Sequence, residues 1–523
     1  MPLDLHQAAL KLGVPPATVR LKSQKIIPSL FLGWLLAITF AACGGDTGPM
    51  EVGVSGSALN PEAKDWNVVL IVLDTLRADA LGCYGNPLPV SPNIDSFAAE
   101  GIQFDHAWAV SPGTASSHAS LFSSTYPETH GVWNREMGAG GEPGETYALA
   151  PEAVTLAEAF RGAGFLTSAI ADGGFVSEAR GLDQGFSYFE SFTRGGPAVF
   201  SHANKWLKNH SELDEPFFLF VHTYETHVPF VPMPSDVAQI AGAYQGPMRK
   251  AYEAAFAESN GNERLRKKQT TQAKHFRKLL HGELLEEDKA FYRTLYDAEI
   301  MLTDRLVGGF LEQLNVLGLG ENTLVLITSD HGEEFWEHGK HGHTQIYEEQ
   351  LHIPLLLKMP GGPKGLHRTD FLDQVDFLPS LLTAVGIPVP ITAMGRDVDF
   401  SKHEDDSVAA PRWVVGQNNY PLSQTALRLG QKKWIEYADE MREPELFLLD
   451  DDPSELENHA GKEDSGEFAS AVTAFAEDWR RKCQSWISRH RLESVELGAA
   501  QRLPTQSQNE LEQLGYVDGD EDE

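Results

Sequence analysis

Short, nearly continuous apolar runs recur along the chain and predict buried strands. They are rich in Val, Ile, Leu and Phe, and they occupy 67–73, 165–170, 217–222, 323–329 and 353–358. Between them, apolar positions at helical spacing predict helices over 155–163 and 290–314. Continuous apolar strands that alternate with helices are typical of a parallel sheet covered on both faces. The predicted fold class is therefore α/β, with a large mixed, mostly parallel sheet sandwiched by helices.

The pattern changes after residue 400. Residues 425–450 predict short antiparallel strands, and 466–492 predict a helix that packs with them. The chain ends in the acidic run DGDEDE, which is typical of a solvated tail. We therefore expect a main domain over 65–400, a C-terminal subdomain over 401–492 and an acidic tail over 493–523.

One long apolar run, IIPSLFLGWLLAITFAA at 26–42, follows a basic stretch. A basic flank, an apolar centre and small residues at the end are typical of a secretory signal. The run leads into Ala-Ala-Cys-Gly, which resembles a bacterial lipoprotein cleavage site with Cys43 as the lipidated residue. An uncleaved anchor is the alternative. We expect a signal or lipoprotein-type segment over 1–43, a flexible tether over 44–64, and an exported protein in the periplasm or at the cell surface.

The composition narrows the possible partners. The 523 residues include 42 Lys and Arg against 75 Asp and Glu, a formal net charge of −33. This charge argues against nucleic acid as a partner, because such binding depends on cations that neutralise phosphates. It also argues against broad docking on anionic lipid, so we expect membrane association only through the N-terminal lipid or anchor. An anionic substrate would need a local cation to overcome the field of the whole chain.

Acidic and imidazole side chains follow two of the predicted strands. Asp74 comes directly after the strand at 67–73, and Asp330 and His331 follow the strand at 323–329. Open α/β sheets bind ligands at the carboxyl ends of their strands. Carboxylate oxygen and imidazole nitrogen are common ligands of divalent cations. The pattern predicts a cation site, although Asp74 as a helix cap and Asp330-His331 as a loop turn are the alternatives.

Thr114 precedes a helical stretch of small residues within AVSPGTASSHASLFSSTYPETHG, at 109–131. A hydroxyl at a helix N-terminus meets a positive dipole and free N–H groups, which favour an anion and an attacking alkoxide. A cation on the same oxygen would lower its pKa further. The alternative is that Thr114 only caps the helix.

Together these segments resemble the sulfatase family of the alkaline-phosphatase-like superfamily. The opening motif, NVVLIVLDTLRADALGCYG and its continuation, lies at 67–109. The active-site motif TASSHASLFSSTYPETHGV lies at 114–132, and the metal motif that begins SDHGEEFWEHG lies at 329–361. The resemblance implies an alkaline-phosphatase-like catalytic domain over 65–400, followed by a small antiparallel sheet with a helix. It also implies an anionic ester as substrate.

Carried onto this chain, the resemblance implies one divalent cation, Ca²⁺, Mg²⁺, Mn²⁺ or Zn²⁺, with Asp74, Asp330 and His331 as its ligands. It places Thr114 at the nucleophile, which can also bind the metal.

By the same resemblance, His227 falls on a position that contacts the substrate anion, and His222 is a weaker candidate for that role. His343 lies near the position of a second cationic side chain that contacts the substrate. Either His227 or His343 would protonate the leaving group. A second metal near Glu225, His227 and His343 is an alternative. Arg77 is expected to support the nucleophile loop or an ion pair rather than to contact the substrate.

The chain also departs from the family pattern. Sulfatases carry a Cys or Ser in a Cys-x-Pro-Ser-Arg pattern and convert it to formylglycine, whereas this chain reads Thr-Ala-Ser-Ser-His at 114–118. The segment with a sulfate-binding lysine is also missing near 169–173. The combination of a Thr with an Asp-His pair resembles the active-site motifs of superfamily members that act on phosphate groups. Because water must attack an ester on plain Thr directly, phosphate or phosphonate esters are favoured over sulfate esters. The resemblance therefore implies a metal-dependent hydrolase of sulfuric or phosphoric (phosphonate) esters. The alternatives are a phospho-head-group transferase of the same superfamily and a non-catalytic sulfatase-like binding protein.

Overall fold

The computed structural model describes residues 65–133, 147–259, 278–280, 282–400, 402, 412–419, 422–439, 441–462, 465–492 and 495–496. The predicted signal segment with Cys43, the tether and nearly all of the acidic tail lie outside these residues. The predicted boundary between residues 400 and 401 also adjoins a stretch that is mostly outside them. In the part of the chain that is described, no helix is both long and apolar enough to cross a membrane.

The core of the molecule is an eight-stranded sheet. Its strands, in chain order, are β1 Asn67–Leu73, β2 Ile102–Trp108, β3 Leu166–Ala171, β4 Tyr188–Ser191, β5 Phe217–Thr223, β6 Thr323–Thr328, β7 His352–Lys358 and β8 Leu366–Asp373. Their order across the sheet is β8-β2-β7-β6-β1-β5-β3-β4. Only β7 in this sheet runs antiparallel to its neighbours, so the sheet is mixed and mostly parallel, as predicted.

Helices cover both faces of this sheet. They are α1 Pro92–Ala99, α2 Thr114–Ser123, α3 Pro127–His130, α4 Leu156–Gly162, α5 Gly196–His210, α6 Pro234–Ile240, α7 Pro247–Ser259, α8 Glu286–Val316, α9 Glu348–Leu351 and α10 Phe377–Ala384. Alternate residues of β1 belong to two different hydrophobic cores. One core includes side chains of α2, α4 and α10, and the other includes side chains of α1, α5 and α8. Burial on both faces explains why β1 is apolar at every position.

A separate four-stranded antiparallel sheet follows in the chain. Its strands are β9 Trp413–Asn418, β10 Gln424–Leu429, β11 Lys432–Tyr437 and β12 Glu445–Leu448, and the helix α11 spans Gly466–His490. Phe468 and Trp479 of α11 lie in one core with Val415 and Leu427 of the sheet. The predicted C-terminal sheet and helix are therefore confirmed.

The strands that the apolar runs do not predict are β2, β4, β8 and β9. The strands β4 and β8 form the two edges of the large sheet, where one side of a strand has no neighbour. Their residues are partly exposed and the sequence is accordingly mixed. Edge strands need fewer apolar residues than buried ones, so the run of apolar positions is a weaker signal there.

Candidate active site

The register of the central strands brings distant residues to one edge of the sheet. In β1, Val72 pairs with His222 of β5 on one side and with Thr328 of β6 on the other. Asp74 follows β1, and its N–H donates to the carbonyl of Thr223 at 3.1 Å. The chain after β6 then places Asp330 at the same edge. The predicted arrangement at the carboxyl ends of parallel strands is present.

The two oxygens of Asp330 have different environments. Oδ1 accepts hydrogen bonds from the backbone N–H of Thr75 at 3.1 Å and of His331 at 2.9 Å. Thr75, whose N–H donates the first of these bonds, has a left-handed backbone conformation with φ of 57°. Oδ2 is buried, has no hydrogen-bond partner among the described residues and lies 3.4 Å from His331 Nε2. One oxygen is thus held by the backbone while the other is left for a ligand.

Asp74 also has an unused oxygen. Its Oδ2 lies 3.3 Å from His222 Nε2, whereas the buried Oδ1 has no hydrogen-bond partner in the described chain. Burial and the neighbouring Asp330 carboxylate raise the pKa of Asp74 well above its ordinary value. Two buried carboxylates held close together are costly unless a cation compensates them.

These atoms fit a divalent cation. One ligand atom from each of Asp74, Asp330 and His331 lies within 4.8 Å of the others, and all three residues are buried. Unpartnered carboxylate oxygens and a neutral imidazole are a suitable donor set for such an ion.

Thr114 is the first residue of α2 and is fully buried. Its Oγ1 lies 3.3 Å from His331 Nε2. Nδ1 of the same ring lies 2.9 Å from the carbonyl oxygen of Gly332, so we assign the ring proton to Nδ1. Burial lowers the pKa of His331 to about 4, so the ring is neutral near pH 7 and Nε2 carries a lone pair. The His331 lone pair is therefore directed at the Thr114 hydroxyl, beside the group that His331 forms with Asp74 and Asp330.

The loop that carries Asp330 is held from behind. Ser117 Oγ donates to the Asp330 carbonyl at 2.8 Å, and Gln374 Nε2 donates to the same oxygen at 2.7 Å. Ser117 lies one turn into α2, and its hydroxyl also lies 2.9 Å from Gln374 Oε1, so it is engaged on the side of this loop. Of these two hydroxyls, that of Thr114 faces the cation ligands.

His227 and His343 extend the site away from the cation ligands. The ring centroid of His343 is 4.7 Å from that of His331 and 5.1 Å from that of His227. Glu333 Oε2 lies 3.3 Å from His343 Nδ1 and orients the ring. The His227 Nδ1 lies 2.6 Å from the carbonyl oxygen of Val228. The structure therefore brings both predicted histidines to the site, with His343 in direct contact with His331.

The secondary candidates have other partners. The Arg77 guanidinium bonds to Asp79 and Glu337 and to the Glu333 carbonyl, which is the predicted supporting role. Glu225 Oε2 accepts from the N–H of Gly196, at the start of α5, at 2.7 Å. In the described part of the chain, Glu225, His227 and His343 do not form a group of ligands within reach of one ion. The alternative of a second metal there stays a prediction.

The sequence interpretation missed His118. This buried residue lies one helical turn after Thr114, and its Nδ1 is 2.8 Å from the Thr114 carbonyl oxygen and 3.8 Å from Asp330 Oδ2. Burial lowers the pKa of His118 below its ordinary value. The spacing of four residues on a helix is the signal that would have found it.

The comparison with protein families decides the affiliation. The family model described as Sulfatase matches residues 66–387, more than half of the chain. The chain belongs to the sulfatase family. A second model, described as N-sulphoglucosamine sulphohydrolase, C-terminal, matches residues 336–482 of this sulfatase-family hydrolase. Members of the family typically bind a divalent metal, and the group at Asp74, Asp330 and His331 is a possible site for it.

Two relatives match most of this sulfatase-family chain. The Ulvan-active sulfatase of Formosa agariphila is 25% identical over 436 residues, which cover 76% of this chain and 77% of the relative. Arylsulfatase K of Bos taurus is 26% identical over 438 residues, which cover 76% of this chain and 78% of the relative.

Solved structures share the fold. BT4656 in complex with its substrate D-glucosamine-2-N,6-O-disulfate has a TM-score of 0.65 at 20% identity, covering 81% of this chain and 99% of that one. The phosphonate monoester hydrolase of Agrobacterium radiobacter has a TM-score of 0.58 at 20% identity, covering 83% and 97%. The predicted alkaline-phosphatase-like fold class is confirmed by these neighbours.

Proposed function

We propose that this sulfatase-family hydrolase cleaves phosphoric, phosphonic or sulfuric esters with Thr114 as nucleophile and a divalent cation held by Asp74, Asp330 and His331. The observation that carries the proposal is the 3.3 Å approach of Thr114 Oγ1 to His331 Nε2, beside two carboxylate oxygens without partners. When bound, the cation would supply positive charge that lowers the pKa of the hydroxyl and stabilises charge on the transferred group.

In the first step, Thr114 Oγ1, which has given up its proton to solvent beforehand, attacks phosphorus or sulfur as the alkoxide. The bond to the leaving oxygen breaks, and the leaving alkoxide takes a proton from His343 or His227. His343 is the better placed of the two, since Glu333 orients its ring and its side chain is 11% exposed. The α2 N-terminus favours the negative charge that develops beside Thr114.

In the second step, water attacks the ester on Thr114. The histidine that gave up its proton accepts one from this water, and Thr114 leaves as the alkoxide with which the cycle began. The sum of the two steps is ester plus water to alcohol plus acid. Because Thr114 carries a single oxygen, its release depends on attack at phosphorus or sulfur rather than on expulsion by a second hydroxyl. This favours phosphorus esters over sulfate esters.

The alcohol part of the substrate is proposed to be a saccharide. The relatives include the Ulvan-active sulfatase and an N-acetylglucosamine-6-O-sulfatase of Bacteroides thetaiotaomicron, the latter 23% identical over 511 residues. These names support a sugar ester as the substrate class for this chain.

The deciding experiment loads the purified protein separately with Ca²⁺, Mg²⁺, Mn²⁺ and Zn²⁺ and assays aryl sulfate, phosphate monoester, phosphate diester and phosphonate ester. We expect metal-dependent turnover, with the phosphorus esters ahead of the sulfate. Turnover of sulfate alone would overturn the preference for phosphorus, and metal-loaded protein without any turnover would contradict the hydrolase proposal.

We also propose that the protein is exported and held at the membrane through Cys43. The support is the basic flank, the apolar run at 26–42 and the Ala-Ala-Cys-Gly sequence. Mass analysis of the mature N-terminus should show an acylated Cys43. An unmodified N-terminus at another residue would contradict lipidation.

A further inference from the structure

His343, the better placed proton donor, ends a short antiparallel hairpin over 334–343. In this hairpin Glu334 pairs with Gly342. Gly342 comes directly before His343 and has a φ of 96°, a left-handed conformation that glycine adopts without strain. The backbone at His343 therefore takes its position from the 334–343 hairpin.

The carboxylate of Glu334 binds the chain on both sides of His343. Glu334 is 1% exposed, and its Oε1 accepts from the N–H groups of His338 at 3.1 Å and Lys340 at 2.8 Å. Its Oε2 accepts from Nε2 of Gln345 at 2.7 Å. Lys340 precedes His343 in the chain and Gln345 follows it, so one carboxylate fixes the segment that carries this histidine.

The same carboxylate connects the hairpin to the loop that carries His331. Gln350 of α9 is buried, and its Nε2 donates to Glu334 Oε2 at 3.0 Å. The carbonyl oxygen of Gln350 accepts from the N–H of Gly332, the residue after His331, at 2.8 Å. Through Gln350, Glu334 thus sets the position of the hairpin relative to this loop. The ring centroids of His343 and His331 are 4.7 Å apart.

A carboxylate suits this place because its two oxygens can accept about four hydrogen bonds. Those of Glu334 accept from two backbone N–H groups and two side-chain amides. Without the carboxylate, the buried amides of Gln345 and Gln350 would lack this acceptor, which costs free energy. We therefore expect the hairpin to shift when Glu334 is replaced, and His343 to shift with it.

We propose that Glu334 is a positioning residue for proton transfer from His343 to the leaving group. The proposal rests on the proposed function, which makes His343 a proton donor, but the position of His343 can be measured without turnover. A general acid must lie within hydrogen-bond reach of the oxygen that it protonates. A displaced His343 would therefore protonate the leaving alkoxide less well.

The first test compares kcat/KM for two esters of the acid that metal-loaded wild type hydrolyses. A 4-nitrophenyl ester has a leaving group that is stable as an anion, whereas an alkyl ester has a leaving alkoxide that needs a proton. We expect the ratio of the alkyl to the nitrophenyl value to fall about 10-fold in Glu334→Ala. Glu334→Gln keeps the shape and one acceptor oxygen, so its ratio should fall only about 3-fold. A merely structural loss lowers both values alike, and an unchanged ratio would overturn the proposal.

The matched control is Asp304→Ala. Asp304 of α8 is also 1% exposed, and it accepts from the N–H groups of Asn93 and Ile94 at 2.9 and 2.8 Å and from Asn93 Nδ2 at 2.6 Å. We expect its ratio to stay at the wild-type value. A fall as large as that of Glu334→Ala would overturn the proposal, because loss of a buried carboxylate elsewhere would have the same effect.

Thermal unfolding of each variant is measured beside its kinetics. If Glu334→Ala does not fold, Glu334→Gln carries the test, with Asp304→Asn as its control.

A double variant shows whether Glu334 acts through His343. His343→Gln should lower the ratio by itself, and the addition of Glu334→Gln should lower it no further, because residues that act as a unit are not additive. Losses that multiply would overturn the proposal. An unchanged ratio in His343→Gln would also overturn it, and would leave His227 as the proton donor of the proposed function.

The last test separates this proposal from the proposed function. Crystal structures of wild type and Glu334→Gln give the distance between the ring centroids of His343 and His331, and we expect a change of at least about 0.5 Å in the variant. Wild type that hydrolyses no ester, together with a displaced His343 in the variant, would contradict the function at Thr114 alone. Hydrolysis by wild type, together with an unmoved His343 in the variant, would contradict the role of Glu334 alone.

Discussion

Two groups of one histidine and two carboxylates share the segment that follows β6, yet the structure gives them different environments. The first group is Asp74, Asp330 and His331, and the second is Glu334, His338 and Glu349. In each, one ligand atom per residue lies within 4.8 Å of the others. Composition and spacing alone would make both groups candidate metal sites.

The second group has its hydrogen bonds filled by the protein. Glu334 Oε1 accepts from the backbone N–H of His338 at 3.1 Å and of Lys340 at 2.8 Å. Its Oε2 accepts from the side-chain amides of Gln345 at 2.7 Å and Gln350 at 3.0 Å. With four donors on one carboxylate, little lone-pair capacity is left for a cation.

The histidines differ in the same way. His338 Nδ1 lies 2.9 Å from Glu349 Oε1, and its ring stacks on Tyr347. Although burial lowers the pKa of His338, the bond to Glu349 and its charge raise that pKa to about 9. His331 is instead held neutral by burial. What distinguishes the candidate active site is its unpartnered atoms, not its residue types.

The largest effect expected at the first group is that of Thr114→Ala. Removal of the hydroxyl removes the nucleophile, so turnover of every ester should fall to the background while the fold is retained. Thr114→Ser should keep part of the activity, because the hydroxyl remains. Steady-state assays with circular dichroism as a check of folding measure both. If Thr114→Ala kept most of its activity, Thr114 would only cap α2.

The next effect tests the comparison directly. Asp330→Ala should lose bound metal and at least about 100-fold in kcat/KM, because the cation contributes several kcal/mol to the transition state. Glu349→Gln, in the second group, should keep the metal content of wild type. Elemental analysis of protein dialysed after metal loading gives both values. Equal loss of metal in the two variants would remove the distinction between the groups.

A substitution in the second group should change the free energy of unfolding rather than the metal content of the protein. Because the folded pKa of His338, about 9, lies above the ordinary value of 6.5, protonated His338 stabilises the fold below about pH 6.5. This contribution is lost as the pH rises through about 9, and we expect about 1–2 kcal/mol after allowance for solvent screening.

Urea denaturation of wild type and His338→Gln, at about pH 6 and about pH 10, measures this contribution. The difference in the free energy of unfolding should shrink at the higher pH. A difference independent of pH would contradict the ion pair.

The smallest effect expected is that of Ser117→Ala. Ser117 and Gln374 both donate to the Asp330 carbonyl, so loss of one donor leaves the other in place. We expect a loss of about 1 kcal/mol, or about fivefold in kcat/KM, with metal still bound. Ser116→Ala should have a smaller effect, because the donors to this carbonyl among the described residues are Ser117 and Gln374. A loss as large as that of Thr114→Ala would contradict the assignment of the nucleophile.

The sequence determined the buried part of the fold. The strand at 67–73 is found with the same bounds, and the predicted helix at 155–163 is found as Leu156–Gly162. These elements are buried on one or both faces, so their apolar spacing is strict. The family motifs also gave the positions of Asp74, Thr114, Asp330 and His331, because residues that follow the ends of parallel strands reach the same edge.

Only the tertiary structure decided which of these atoms are free to bind. The N–H of Thr75 fills Asp330 Oδ1 across 255 positions of sequence, and no local pattern encodes that bond. The same holds for the ion pair of Arg77 with Glu337, which are 260 positions apart. The four donors to Glu334 lie within 16 positions of it, but the fold still has to bring them onto its two oxygens. The hydrogen-bond partners of a site residue can come from any segment of the chain that packs against it. For this reason the sequence gives the kinds of ligand, and the packing of distant segments decides which of them remain unpartnered.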